Sequence, residues 1–416
     1  MSDNRGFTLI ELVVTMAIFV IVIILSSFVF EKAIGQASRH SKNIEGQIEG
    51  VVGLEILRTD LDSAGYGLPF KIMSSATKIS GYSEAIDSPN FPVPGINRAA
   101  LNDAPLSAPR GVVGVNGGPG VGFNQSDYLV IKSATVALND AAKKSSRVIY
   151  NKIGSDPVGQ IATTGTADDL QPGERAIVMR SVFEGGVEKS RELLIDEKNG
   201  GIFYVTVPTT YLPTAFSPQS SDDTCLIYGI DPANATTSLR MPFNRADYYI
   251  NRPVNIPASC NAGTGVLYKV TSNHSNGGIT YYPLVDCIGD MQVVYLFDMD
   301  EDGNAGTYSN ADGSQMSSVG NPEIVDGHNV SATDVVTTLR DPEYLRRRLK
   351  ELQVYLLAQM GKKDTAYRYP VDSIVVGKAG LGRTWITSDM AATFGAEWRN
   401  YRWKVYKITS NLRNMQ

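Results

Sequence analysis

One segment constrains this chain before anything else does. From Phe7 to Phe30 the sequence reads FTLIELVVTMAIFVIVIILSSFVF, about 24 residues with Glu11 as the sole charge, long enough to cross a bilayer as a helix. A cleaved secretory signal is the obvious rival, since Ala33, Gly35 and Ala37 loosely imitate a peptidase site. The apolar region of such a signal typically runs only about 7 to 15 residues, so the segment reads as an anchor. The lead-in MSDNRG sets Arg5 against a single Asp3 and marks the N-terminus as the cytoplasmic end, with everything beyond residue 30 outside.

Glu11 needs its own explanation. A carboxylate in hydrocarbon costs on the order of 2.5 to 3.5 kcal/mol on insertion scales and is usually kept for a partner. If the chain were cut between Gly6 and Phe7, the new α-amino group of Phe7 would lie about one helical turn from Glu11. The same group on a neighbouring copy would turn an intramembrane cost into an assembly contact.

These residues also carry a family resemblance. Arg5 to Glu11, RGFTLIE, resembles the class III leader of type IV prepilins and pseudopilins. The resemblance implies cleavage after Gly6 by prepilin peptidase, N-methylation of Phe7 and a docking role for Glu11. It also implies the type IV pilin fold, an α+β architecture in which a long N-terminal helix packs on an antiparallel β-rich head.

The periodicity predicts that the helix continues through residues 31–63, because Ile44, Ile48, Val51, Leu54, Leu57 and Leu61 recur at spacings of three and four. A helix from Phe7 to Asp62 would be roughly 80 Å long, too long for a bilayer alone. Its outer half is therefore expected to seat on a soluble head. Ser63 to Pro69, with two glycines and a proline, stops it.

The expected organisation is a leader at 1–6, a transmembrane half-helix at 7–30, an amphipathic half at 31–63 and a β-rich head at 64–416. Strands are predicted around 127–131, 176–179, 201–205, 266–270, 291–297, 352–360 and 401–408. Insertions are expected near 88–125, 140–170 and 206–262. Glycines at 117, 118, 120 and 122 lack the spacing of a phosphate cradle. Phrases such as Gln125 to Leu129, Pro283 to Tyr295, Leu352 to Val354 and Asn411 to Asn414 resemble PilW-type minor pilins, which are similar to the J-type pseudopilins of type II secretion.

The formal net charge of −5 and a pI near 5.4 offer no global attraction to nucleic acid, and none is expected as a partner. Arg346, Arg347, Arg348 and Lys350 read as the polar face of a short helix and a strand end. Cys225, Cys260 and Cys287 form no CxxC pair. With the head outside the cytoplasm, a Cys225–Cys260 bridge is expected to staple an insertion, since Cys287 lies in an apolar run.

The sharpest local motif is Asp298-Met299-Asp300-Glu301-Asp302-Gly303, whose spacing matches positions 1, 3, 5 and 6 of a calcium loop. Asp298, Asp300, Asp302 and Asn304 are the candidate calcium ligands; position 12 is Ser309 rather than a glutamate. The alternative is a solvated acidic turn. His40, His274 and His328 show no paired spacing and no GxSxG elbow occurs, so no enzyme is expected and no cofactor is required.

The function implied is that of a minor pilin that primes filament assembly at or near the tip of a type IV pilus. The partners implied are prepilin peptidase, other minor pilins, the major pilin and a tip adhesin. It would wait in the inner membrane before assembly and then serve the cell surface, in adhesion or twitching motility. A J-type minor pseudopilin and a membrane-tethered surface binding protein are the alternatives.

Overall fold

The computed structural model describes residues 9–72, 81–185, 187–233 and 238–415, and of residues 31–50, Glu184 and Val187 the backbone alone. A helix covers Leu9–Asp62. The chain divides into two compact units, residues 1–51 and 52–416.

In the first unit the helix carries a largely apolar stretch, Leu9–Phe30, whose most apolar 18 residues have a mean hydropathy of 3.0. The Thr15 hydroxyl within it donates to the carbonyls of Glu11 at 2.9 Å and Leu12 at 3.0 Å. That internal bond is how a hydroxyl is tolerated where no water competes.

The second unit opens with the end of the helix, which enters a core of aliphatic side chains. Leu57 and Leu61 are fully buried and Leu54 packs beside them, each full burial contributing about 1.5 to 3 kcal/mol. Of the seat expected from Ile44 to Leu61, Ile44 and Ile48 have side chains outside the described residues, and Val51 belongs to the first unit. Leu54, Leu57 and Leu61 therefore make the seat. Gly53 permits close approach, since a Cβ there would fall 2.2 Å from the Leu284 carbonyl oxygen. Gly65 at φ +80° and Gly67 at φ +68° then turn the chain away, and the Asn414 amide donates to the Asp62 carbonyl at 2.7 Å, capping the helix end.

Among the described residues the strands form two large antiparallel sheets, of nine and six strands, and two short hairpins. The nine-stranded sheet runs Val112–Val115, Tyr128–Ser133, Asn244–Asn251, Gly265–Ser272, Ile279–Phe297, Thr307–Asn310, Met316–Ser318. Its long strand Ile279–Phe297 also pairs with Leu349–Met360, which carries Arg402–Asn411. The six-stranded sheet runs Asp156–Ile161, Ser145–Ile153, Thr224–Asp231, Arg175–Glu184, Val187–Leu193, with Val205–Thr206 on Arg175–Glu184.

Two expectations are corrected here. Asn244–Asn251, inside the span 206–262 expected to be an insertion, lies in the middle of the larger sheet, and Thr224–Asp231 lies inside the smaller one. The predicted strand at 201–205 survives only as Val205–Thr206. Phe203 packs in one buried cluster and Val205 in another, so that segment joins two cores instead of extending along one sheet.

Candidate functional site

The N-terminal site begins outside the described residues, where Gly6 and Phe7 lie. Glu11 stands in the first turn of the helix, where the partial positive charge of the helix N-terminus favours a carboxylate. Everything C-terminal to it up to Phe30 is uncharged. The arrangement is thus one acid at the head of a membrane-length apolar rod.

Residues 1–27 match the prokaryotic N-terminal methylation motif. That motif indicates a precursor of type IV pilin or pseudopilin character. The motif is the substrate signal for prepilin peptidase, and together with the apolar helix it fits anchoring in the inner membrane followed by assembly. The α-helix followed by an antiparallel β-rich head agrees with a pilin-like α+β architecture. No curated protein and no solved structure matches the chain.

Within the second unit a buried ionic contact ties the helix to the larger sheet. Asp60 Oδ2 lies 2.5 Å from Lys269 Nζ and accepts the hydroxyl proton of Tyr248; Lys269 and Tyr248 are neighbours across two strands. Burial raises the Asp60 carboxyl above the usual carboxylate range, and Lys269 and Tyr248 offset this only in part. Sequence reasoning missed this contact because a lysine in Val266–Val270 looks like an outward residue of an alternating strand.

A second buried network braces the opposite side. Arg98 Nε lies 2.9 Å and Arg245 Nε 2.7 Å from Asp247, while Lys132 Nζ lies 2.7 Å from Glu84 and 2.6 Å from Asp103. Burial alone would raise the Asp247 carboxyl, yet Arg245 and Arg98 hold it well below the usual range. The segment 88–125, expected as an insertion, supplies Arg98 and Asp103 and also the strand Val112–Val115.

The acidic loop follows the strand Ile279–Phe297. Asp298 is buried and accepts the backbone N–H groups of Asp302 and Gly303, each at 3.1 Å. Asp302 instead accepts from Asn304, at 2.7 Å from its backbone N–H and 3.2 Å from its amide. Among the described residues the close group is Asp298, Asp300 and Glu323, with ligand oxygens within 4.8 Å of one another. The expected set is therefore regrouped: Asp298 and Asp300 meet, Asp302 and Asn304 pair with each other, and Glu323 joins from a distant loop that spacing could not reveal. Burial raises the Glu323 carboxyl, bonds from Thr307 and Met299 oppose this, and Asp300 and Asp298 push it higher. Three carboxylates supply part of the six to eight oxygens that calcium takes.

The expected Cys225–Cys260 bridge is overturned. Cys260 is bonded to Cys287 with Cα atoms 5.0 Å apart, and Cys225 is a free, buried thiol. Cys225 sits on the smaller sheet opposite Val148 and Arg180, whereas Cys287 stands at a break in strand register with φ +57°. That irregularity turns Cys287 out of the apolar run in which the sequence seemed to bury it.

The basic run is largely neutralised in place. Arg347 and Arg348 each lie 2.9 Å from Glu301, and Lys350 donates to the Arg347 carbonyl at 2.8 Å and stands 3.6 Å from Asp298.

Proposed function

We propose that this chain is a minor pilin of the PilW type, which primes assembly of a type IV pilus and sits at or near its tip. The observation that carries the reading is the methylation motif at residues 1–27 running straight into a membrane-length apolar helix with Glu11 near its start. The mechanism follows from charge. Removal of residues 1–6 leaves an α-ammonium on Phe7, and in the filament that cation meets Glu11 of an adjoining copy or fellow pilin. The pair replaces two charges solvated separately with one contact whose attraction grows as water is excluded. Register between subunits is set in this way, while Leu54, Leu57 and Leu61 keep the head seated on the helix.

The Cys260–Cys287 disulfide supports a head that matures in an oxidising compartment outside the cytoplasm. The large two-sheet head supports a presenting role over a packing role.

The test is mass spectrometry of the mature N-terminus together with the Glu11→Ala variant. The expected result is a chain beginning at methylated Phe7, and a variant that is cleaved and inserted normally but scarcely incorporated into filaments. A mature chain beginning at Met1 or beyond Phe30 would remove the basis of the reading, and normal incorporation of the variant would remove the pairing. A secretion defect on gene deletion with pili intact would favour the J-type pseudopilin.

A further inference from the structure

A cleft lies between the strand Val187–Leu193 of the smaller sheet, the helix Pro342–Arg348 and the chain just past the end of the N-terminal helix. Leu68, Pro69 and Met415 give it apolar walls, and Lys71, Lys189 and Arg346 bring three cations to it, with Glu343 the one carboxylate in its lining.

Arg346 is the residue that decides its chemistry. Its neighbours in the basic run are tied to Glu301, but Arg346 has neither a hydrogen bond nor an ion pair among the described residues; its guanidinium lies 4.1 Å over the Phe70 ring. Arg191 lies over the same ring at 4.6 Å and spends its charge on Glu188 at 2.5 Å. Phe70 therefore holds Arg346 in place through its face without using any of its N–H donors. Lys71 and Lys189 likewise have no ion pair among the described residues. Burial lowers the guanidinium's pKa, Glu343 counters this, and Arg347 and Arg191 add to the lowering. A half-buried cation with idle donors is matched by an anion that accepts two parallel N–H bonds.

We propose that this cleft is a binding site for a small organic carboxylate whose body carries an apolar face, the chemistry of an acidic sugar. Arg346 takes the carboxylate, Lys189 and Lys71 add attraction at the mouth, and the ring or chain of the ligand packs on Leu68, Pro69 and Met415. Leu68, Pro69 and Met415 offer the body of such a ligand a contact that a bare inorganic oxyanion leaves unused. The site is independent of filament assembly, so its failure would leave the pilin reading standing.

Calorimetric titration of the full chain in detergent at low ionic strength, with glucuronate, glucose and inorganic phosphate as separate probes, tests the assignment. Millimolar binding of glucuronate is expected, with glucose giving no saturable heat. Arg346→Gln should weaken glucuronate binding about tenfold or more, as loss of charged hydrogen bonds predicts. The exposed Lys189→Gln should weaken it about threefold with an unchanged unfolding midpoint, which guards against misfolding of the Arg346 variant. Equal affinity in wild type and both variants, or saturable binding of phosphate with none of glucuronate, would overturn the proposal.

Discussion

Replacing Asp60 with Ala isolates the contact that fastens the helix to the sheet. The variant leaves Lys269, which is almost fully buried, as a cation with its partner removed, and the Tyr248 hydroxyl without its acceptor. Breaking a buried pair from one side costs about 3 to 5 kcal/mol, mostly as the price of the charge left behind. The intact pair is a different matter. Because burial raises the Asp60 carboxyl despite Lys269, the ionised pair gains little over an apolar pair of the same volume. The double replacement Asp60→Leu with Lys269→Met should thus fall within about 1 to 2 kcal/mol of wild type. Denaturant unfolding reads both, followed through Trp385, Trp398 and Trp403, all buried in the head. A single variant that loses under about 1 kcal/mol, or a double variant that loses as much as the single, would refute the argument.

Three further outcomes follow from particular residues. His274 donates from Nε2 to Asn244 Oδ1 at 3.1 Å, and burial, aided by Arg240, lowers its pKa from 6.5 to about 4. A depressed histidine favours the neutral fold, so its contribution is full above pH 6.5 and is lost as the pH falls towards 4, up to about 3 kcal/mol; His274→Gln should flatten that part of the stability profile. Peptide mapping without reductant should recover Cys260 linked to Cys287 and Cys225 alkylated only after unfolding, while Cys287→Ser should cost about 3 kcal/mol; a linked Cys225 peptide would contradict the structure. Calcium at about 100 times its Kd should raise stability by about 2.7 kcal/mol, an increment that Asp298→Asn or Glu323→Gln abolishes; unfolding midpoints unchanged by calcium in the wild type would dismiss the ion.

The helix and most strands were legible because their patterns are local. The spacing of Leu54, Leu57 and Leu61 announces a buried face, and Tyr128–Ser133 and Gly265–Ser272 are β-branched and aromatic enough to declare themselves. What was not legible depends on which second layer covers a face. Lys132, Arg245, Asp247 and Lys269 alternate with apolar neighbours as solvated residues do, yet all four are buried. Residues 84–103 fold over one side and the helix end over the other, bringing the counter-charges that make burial tolerable. Glu323 reaches the acidic loop, and Cys260 finds Cys287, by the same non-local route.

By itself the sequence determined that this chain has a membrane-length N-terminal helix behind a processing signal, since hydrophobic length and a contiguous motif need no other part of the molecule. The tertiary structure alone decided which cysteines join, which carboxylates gather and why Arg346 keeps its donors idle. Each of those depends on residues far apart in the chain being brought within a few ångströms, and only the packing of two sheets and a helix end fixes such distances.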